Sequence, residues 1–113
     1  MSNDADHRKI ARVLDRYAEA LDTRRWELLS EVFVPELEYD FGEWTAPSRE
    51  EAVAAIRTYL DDCGATQHLL GNYRIELDGD RATSKCYCRV MHFGKGEHEG
   101  KTYEAYLEYA DEL

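Results

Sequence analysis

A histidine and a distant aspartate are the residues of this chain whose types best fit acid–base chemistry. His68 is a lone histidine in apolar surroundings, within the segment Thr66-Gln67-His68-Leu69-Leu70-Gly71-Asn72. Asp22 is its candidate partner. A carboxylate that accepts an imidazole N–H fixes the tautomer of the ring and makes it a stronger base. We therefore predict that Asp22 and His68 form an acid–base pair.

Asp22 ends a predicted amphipathic helix. The apolar residues of this helix recur every three or four positions and form one buried stripe: Ile10, Val13, Leu14, Tyr17, Ala18 and Leu21. Asp22 prolongs the stripe at the helix C-terminus, where the macrodipole disfavours a carboxylate by about 0.3–1 kcal/mol. A desolvated carboxylate needs hydrogen bonds or a cation, and a histidine N–H is a suitable donor. Alternatively, Asp22 or Thr23 only N-caps a following helix that begins near Arg24-Arg25-Trp26.

Length and charge limit the classes of protein to consider. A chain of 113 residues forms one domain, residues 1–113, with a core large enough to fold alone. The 24 acidic and 14 basic side chains give a formal net charge of −10, so neither nucleic acid nor a membrane surface is expected as a partner. No apolar run approaches the roughly 20 residues that span a bilayer, and the acidic N-terminus is not a signal sequence. We expect a cytoplasmic protein.

The three cysteines, Cys63, Cys86 and Cys88, indicate neither a disulfide framework nor a zinc site, because they are odd in number and lack a Cys-x-x-Cys spacing. We interpret them as small buried hydrophobic residues. A 2-His-1-carboxylate metal site built from His68, His92 and Asp22 is a further alternative, but the sequence lacks local ligand spacing. We therefore predict no metal and no cofactor.

The predicted helices precede the predicted strands, an order typical of an α+β protein. A short second helix is indicated over Trp26 to Phe33, and Pro35 ends it. Leu37 to Phe41 then alternates like a strand. Ser48-Arg49-Glu50-Glu51 is a capping box that opens a third helix, for which Gly64 is the expected end.

The remaining chain predicts antiparallel sheet. Tyr73 to Leu77 and Arg81 to Phe93 flank Asp78-Gly79, a strong hairpin signal. The glycines between positions 94 and 100 allow a second turn before a strand from Lys101 to Tyr109.

Strand alternation gives a second histidine a place. One face of the long strand carries Ala82, Ser84, Cys86, Cys88, Val90 and His92. His92 therefore ends an apolar row, where a satisfied core histidine is the alternative to a functional one. His7 and His98 are assigned no role.

These residues carry a family resemblance. The segments Tyr17 to Trp26, Tyr39-Asp40-Phe41, Thr66-Gln67-His68 and Val90-Met91-His92 occur in this order. From about Ile10 onward the chain resembles the SnoaL-like group of the nuclear transport factor two (NTF2) superfamily, and most closely scytalone dehydratase and hexachlorocyclohexane dehydrochlorinase. The resemblance implies an α+β cone, in which a strongly curved antiparallel sheet wraps around N-terminal helices and leaves an apolar pocket.

The resemblance also implies roles for individual residues. In both lyases an aspartate at the end of the first helix orients a histidine that removes a proton from substrate carbon, and those positions are Asp22 and His68. His92 matches a further histidine of the dehydratase and is a third catalytic candidate. The expected substrate-binding residues are Tyr39, Phe41, Trp44, Val90 and Tyr106.

This chain differs from scytalone dehydratase at several positions, which limits the substrates and pocket residues that the resemblance implies. Two tyrosines of scytalone dehydratase correspond to Leu21 and Phe41, which lack hydroxyls, so scytalone is not the expected substrate. On the strand from Lys101 to Tyr109 the dehydratase places pocket residues at the positions of Glu104 and Tyr106. Alternation alone would instead bury a second set, namely Tyr103, Ala105 and Leu107. The sequence alone does not decide which of these two sets of side chains lines the pocket.

The end of the chain is another departure. Relatives usually add one more strand after the position where this sequence reaches Asp111-Glu112-Leu113, so the fold is expected to lack the last strand. Such an edge exposes unpaired backbone groups, and association would cover it; a gene fragment is also conceivable. We expect a homo-oligomer, a dimer or trimer, that associates through the outer sheet face with Lys85, Tyr87, Arg89 and Met91.

The available groups favour a cofactor-independent lyase, isomerase or cyclase. His68 would act as general base on an acidic C–H, Asp22 would stabilise the imidazolium, and His92 or Tyr39 would donate a proton. The expected substrate is a small hydroxy-carbonyl or polyketide-like compound. The competing hypothesis is a non-catalytic ligand-binding or assembly module with the same fold.

Overall fold

Three helices and two sets of paired strands make up the described part of the chain. A computed structural model describes residues 2–33, 35, 39–40, 45–79 and 81–112. The helices are α1 at Ser2–Thr23, α2 at Leu29–Val32 and α3 at Arg49–Asp61, with 3₁₀ turns at Trp26–Leu28 and Gly96–His98. None of the described helices is long and apolar enough to cross a membrane.

The strands form two antiparallel sets. The short strands β1 (Tyr39–Asp40) and β2 (Thr45–Ala46) pair with each other. The long strands β3 (Thr66–Asp78), β4 (Arg81–Phe93) and β5 (Thr102–Glu112) form a sheet in the order β3-β4-β5. Consecutive long strands therefore lie side by side.

The helices pack against the sheet around one hydrophobic cluster. Its buried members come from α1, α2 and α3: Tyr17, Ala20, Leu21, Leu29, Ile56 and Leu60. The stripe predicted for α1 supplies two of them, and α1 itself lies against β3. The predicted α+β fold, with N-terminal helices packed on a curved antiparallel sheet, is confirmed.

Local signals explain several element ends. The Ser48 hydroxyl accepts a hydrogen bond from the Glu51 N–H at 3.2 Å, as the capping box predicts for the start of α3. The Phe33 N–H bonds the Leu29 carbonyl and closes α2 shortly before Pro35. His7 lies within α1.

Strand β3 is longer than its sequence pattern predicts. The alternation indicated Tyr73 to Leu77, whereas the strand begins at Thr66. The register of β3 against β4 shifts between Gly71 and Arg74, where Asn72 has φ +55°. Asparagine tolerates this left-handed conformation better than most residues, and such a bulge bends and twists a strand. The first half of β3 contacts the end of α1, where Thr66 and His68 bond Asp22.

The two faces of β4 differ as alternation predicts. Ser84, Cys86, Cys88 and Val90 are buried, and the residues between them are exposed. Tyr87 lies on the outer face, where the Arg74 guanidinium stacks 4.8 Å from its ring centre. Association through this outer face stays a prediction.

We predict that native protein reacts with a bulky maleimide at Cys63 and is protected at Cys86 and Cys88. The latter two are buried, and burial is the main cause that raises the pKa of the Cys86 thiol to about 11, which suppresses the reactive thiolate. Cys63 is only partly buried. Peptide mass spectrometry over a time course would measure each site, with protein unfolded in urea as the control. Equal rates at all three sites in native protein would contradict the assigned face.

Candidate active site

The Asp22 carboxylate and the His68 ring form a short hydrogen bond. His68 Nδ1 lies 2.6 Å from Asp22 Oδ1, and the His68 backbone N–H donates to Asp22 Oδ2 at 2.8 Å. The His68 side chain is 7% exposed and that of Asp22 is 23% exposed. Because a carboxylate can only accept, Nδ1 carries the hydrogen, and Nε2 of the neutral ring is an acceptor. This is the tautomer that a general base requires.

The end of α1 and the start of β3 bring this pair together. Among the described strands β3 pairs only with β4, so its other edge is open to α1. On that edge the His68 N–H bonds Asp22, which satisfies a backbone donor of the strand. The capping alternative is not observed: the next turn begins at Trp26 without a side-chain cap, and Thr23 bonds the Glu19 carbonyl.

A left-handed residue ends α1. Arg24 has φ +60°, its N–H bonds the Leu21 carbonyl at 3.3 Å, and the Arg25 N–H bonds the Ala20 carbonyl at 3.0 Å. These two bonds are those of a Schellman motif, in which glycine is usual at the left-handed position. An arginine there costs conformational energy, so its side chain is expected to compensate.

The Arg24 side chain connects α1 to the start of β3. Its guanidinium donates to Thr66 Oγ1 at 2.9 Å and to the Gly64 carbonyl at 2.7 Å. Because arginine can only donate, the Thr66 hydroxyl must direct its own hydrogen elsewhere. It donates to Asp22 Oδ1 at 3.0 Å. Arg24 thus fixes Thr66 as a donor, and Asp22 accepts three hydrogen bonds from the described residues.

His92 lies beside His68 on the same sheet face. The register pairs His68 with Val90 and Thr66 with His92, and the two imidazole centres are 5.9 Å apart. His92 Nδ1 lies 3.7 Å from Cys63 Sγ, whereas Nε2 is buried without a hydrogen-bond partner among the described residues. The described residues thus provide a contact for only one of the two ring nitrogens of His92, and its catalytic role stays a prediction. Burial is the main cause that lowers the pKa of His92, and its electrostatic interactions with His68 and Arg24 lower it further, so the His92 ring is neutral near pH 7.

Both histidines line a cavity of about 110 Å³ between the helices and the sheet. Its other walls are aromatic or aliphatic: Tyr17, Leu21, Tyr39, Ile56, Tyr59, Leu60, Val90, Tyr103, Ala105, Leu107 and Tyr109. Tyr39 and Val90, which were predicted to bind substrate, are among these residues. Phe41 and Trp44, predicted for the same role, lie outside the described residues.

A tyrosine pair lies in the same cavity. The hydroxyls of Tyr17 and Tyr39 are 2.6 Å apart. Burial is the main cause that raises the pKa of both, to about 12 for Tyr39. Both hydroxyls therefore keep their protons at neutral pH and can serve as hydrogen-bond donors.

Tyr106 does not line this cavity. It is 73% exposed on the outer face of β5, where the Arg89 guanidinium lies 5.9 Å from its ring centre. The register pairs Ala105 with the buried Val90, so odd-numbered residues of β5 face inward. Alternation was therefore the better guide on this strand, since its inward set lines the cavity: Tyr103, Ala105 and Leu107.

The sequence assigned no role in the site to three residues that support the pair or line the cavity. Thr66 and Arg24 lay within the motifs but were not singled out, and Tyr17 was placed only in the hydrophobic stripe. A signal existed for Thr66, because residues 66 and 68 of one strand share a face. Nothing in the sequence signals the left-handed turn at Arg24, since arginine is rare there. Among the described residues, no group of three or more His, Cys, Asp or Glu side chains is placed to hold a metal ion.

Helices packed on a curved antiparallel sheet, with a cavity between them, define an NTF2-like α+β protein. The SnoaL-like domain family matches residues 4–113, so the chain belongs to this family. A candidate scytalone dehydratase from Novosphingobium aromaticivorans superposes with a TM-score of 0.88 at 22% identity, over 99% of this chain and 76% of its own. LinA superposes with a TM-score of 0.85 at 17% identity, and the superposition covers 97% of this chain and 76% of LinA. These two likenesses show the shared fold.

A curated relative, the uncharacterized protein Rv2910c of Mycobacterium tuberculosis, is 28% identical over 89 residues. That alignment covers 74% of this chain and 58% of the relative. The match thus spans little more than half of the relative's length.

We predict that Thr66→Val destabilises the protein by about 1–3 kcal/mol, because it removes one acceptor of the Arg24 guanidinium and one of the donors to the Asp22 carboxylate. Thr66→Ser is the matched control, since it keeps the hydroxyl. Urea unfolding followed by circular dichroism would give both free energies. Equal stability of the Val and Ser variants would contradict the proposed role of the hydroxyl.

We also predict that His92 makes stability depend on pH. Its folded-state pKa lies below the ordinary value, so the unfolded chain binds a proton at a higher pH than the native protein does. The wild type should lose stability relative to His92→Phe as the pH falls through about 6.5, the usual histidine pKa. Urea unfolding at pH 8 and pH 5.5 would measure this, with exposed His98→Gln as control. A constant difference between wild type and His92→Phe would refute the prediction.

Proposed function

We propose that the protein is a cofactor-independent lyase or isomerase that acts on small hydroxy-carbonyl compounds. The observation that supports this best is the 2.6 Å bond between Asp22 and His68 at the wall of an apolar cavity. A buried imidazole whose Nδ1 is held by a carboxylate presents Nε2 as a base. Such a base is suited to removing a proton from carbon next to a carbonyl group.

Asp22 has two tasks in this proposal. Before the reaction it holds the His68 tautomer and the ring orientation. After proton transfer it stabilises the imidazolium, whose charge would otherwise be costly in a cavity with mostly apolar walls. The Thr66 hydroxyl and the His68 N–H keep the carboxylate oriented for both tasks.

Two groups are available to stabilise negative charge on the substrate or to protonate a leaving group. Tyr39 lines the cavity and remains protonated at neutral pH. His92 Nε2 is buried without a partner among the described residues, so a substrate oxygen could bond it if Nε2 carries the hydrogen. Elimination of water and isomerisation share the same first step, and the geometry supports either outcome.

Family membership agrees with this proposal. The superposed Novosphingobium protein is described as a candidate dehydratase. This description favours elimination of water among the possible reactions. Scytalone itself is a poor candidate here, because Leu21 replaces one of the hydroxyl-bearing residues that the dehydratase pattern requires. Membership alone is also compatible with a binding module, so the test must detect proton abstraction directly.

We predict that the protein catalyses hydrogen–deuterium exchange at the α-carbon of β-hydroxy ketones in D₂O, whether or not water is then eliminated. Asp22→Asn and His68→Gln should each lower the rate by about 10²–10⁴-fold, the usual contribution of a general base. The losses should not add in the double variant, because both changes disable one unit. Proton NMR of the substrate measures the exchange.

Matched controls are Asp61→Asn, which removes an exposed carboxylate from α3, and His7→Gln in α1; neither residue lines the cavity. Both should exchange at the wild-type rate. If the folded Asp22→Asn/His68→Gln double variant retained wild-type exchange, the base would lie elsewhere. If ligands shifted the cavity resonances of the wild type without any exchange, the binding-module hypothesis would be favoured instead.

A further inference from the structure

A second and larger depression adjoins the cavity. It is an open groove of about 810 Å³ between α3, the end of β4 and the start of β5. Ala55 and Thr58 line it from α3, Phe93 from β4, Lys101 from just before β5 and Thr102 from its first position. None of these five residues lines the inner cavity.

The groove and the cavity meet at three rings. Tyr59, His92 and Tyr103 line both spaces. The His92 ring centre lies 6.1 Å from that of Tyr59 and 5.7 Å from that of Tyr103. A molecule that reaches His68 from the groove must therefore pass these rings, and part of it can remain in the groove.

The volumes of the cavity and the groove indicate which part of a ligand each space can hold. An apolar cavity of about 150 Å³ holds benzene, so the inner cavity of about 110 Å³ accepts at most a fragment near that size. Sites for drug-sized ligands usually enclose about 300–1,000 Å³, a range that includes the groove. A larger substrate would place only its reacting end beside His68.

The groove walls indicate what its occupant is. Tyr59, Phe93 and Tyr103 are large hydrophobic side chains that are 46–60% exposed, and all three line the groove. Aromatic rings that remain exposed around a concave surface favour a flat apolar ligand. The groove also contains charges of both signs, from Asp62 and Lys101, so a strongly charged occupant is not favoured.

We infer that the substrate is a β-hydroxy carbonyl compound with a flat aromatic substituent, whose hydroxy-carbonyl end enters the cavity while the aromatic part occupies the groove. This inference rests on the proposed function for the identity of the reacting end. It adds a specificity site formed by Ala55, Phe93 and the ring of Tyr103.

The reaction balances without any further reactant. His68 takes the proton from the carbon between the carbonyl and the hydroxyl-bearing carbon, and the C–H electron pair forms the C=C bond. The β-carbon–oxygen bond breaks with its electrons on oxygen, which is protonated and leaves as water. Tyr39 or His92 gives the leaving oxygen its proton. After product release the His68 imidazolium loses its proton to water and the donor takes one from water, so both groups return to their starting states. The product is an enone conjugated with the aromatic ring.

Two substrates test the inference. 4-Hydroxybutan-2-one is the reacting end alone, and 4-hydroxy-4-(naphthalen-2-yl)butan-2-one adds a flat two-ring substituent. We expect kcat/KM for the naphthyl compound to be higher by about tenfold or more, because ring contacts in the groove add binding that the smaller compound lacks. Ultraviolet absorbance of the conjugated enone follows its formation, and proton NMR follows the smaller compound.

Variants of the groove provide the specificity control. Ala55→Phe fills the groove from α3, and Phe93→Ala removes part of its wall, while neither residue lines the cavity. Both should abolish most of the naphthyl advantage and leave 4-hydroxybutan-2-one unaffected. If Ala55→Phe fails to fold, Ala54→Phe, at an exposed residue that also lines the groove, serves the same purpose. Tyr106→Ala removes an even more exposed aromatic ring, on the outer face of the sheet, and should retain the full preference.

A binding measurement separates this inference from the proposed function. 4-(Naphthalen-2-yl)butan-2-one lacks the leaving hydroxyl and cannot be dehydrated, but it should bind at the groove and lose affinity in Ala55→Phe, as measured by calorimetry. Such binding without turnover of either hydroxy ketone would support the groove assignment and contradict the proposed function. Turnover with no naphthyl preference, or a preference that Ala55→Phe leaves intact, would overturn the inference. So would a fall in sedimentation mass in Ala55→Phe, since a second copy of the chain would then occupy the groove.

Discussion

The candidate site depends on the carboxylate of Asp22, which joins the end of α1 to the open edge of β3. A carboxylate at a helix C-terminus opposes the helix dipole, and one that is three-quarters buried also loses much of its hydration. Three hydrogen bonds compensate these costs, and all of them come from residues 66 and 68 of one strand. The contact therefore fixes the position of the helix on the sheet and the orientation of His68 at once.

Arg24 strengthens the contact between α1 and β3, and its backbone conformation affects how the Asp22 carboxylate is held. Its left-handed backbone ends α1 and turns the guanidinium toward the start of β3. From there it determines which way the Thr66 hydroxyl donates, and so how the carboxylate is held. A residue that never touches the cavity thus takes part in preparing the base.

The two faces of the long-stranded sheet have different roles. Inward residues of β4 and β5 provide the apolar walls, and the low polarity of these walls keeps His92 neutral and Tyr39 protonated. Outward residues of the same strands form ion pairs and cation–π contacts, such as those of Arg89 with Glu104 and Tyr106. The inner cavity adjoins the wider groove beside α3, and the side chains of Tyr59, His92 and Tyr103 line both spaces. One curved sheet therefore shapes a small reactive space and a larger binding surface.

Local patterns in the sequence determined much of this arrangement. The apolar stripe of α1, the capping box at Ser48, the hairpin signal at Gly79 and the alternation of β4 depend on neighbours a few residues away, so they could be predicted directly. The family resemblance added Asp22 and His68 as partners across 46 residues. It was misleading for Tyr106, where the register of β5 against β4 decides which side chains face inward.

Only the tertiary structure decided the rest. The extension of β3 back to Thr66, the left-handed Arg24 and its bond to Thr66, and the buried unpaired Nε2 of His92 all depend on residues far apart in the chain. Such contacts leave no periodic signal, because each requires the relative placement of a helix end, a strand edge and a neighbouring strand. The sequence by itself thus determined the chemical groups and their elements, whereas packing decided which groups touch, which remain unpaired and how much space lies between them.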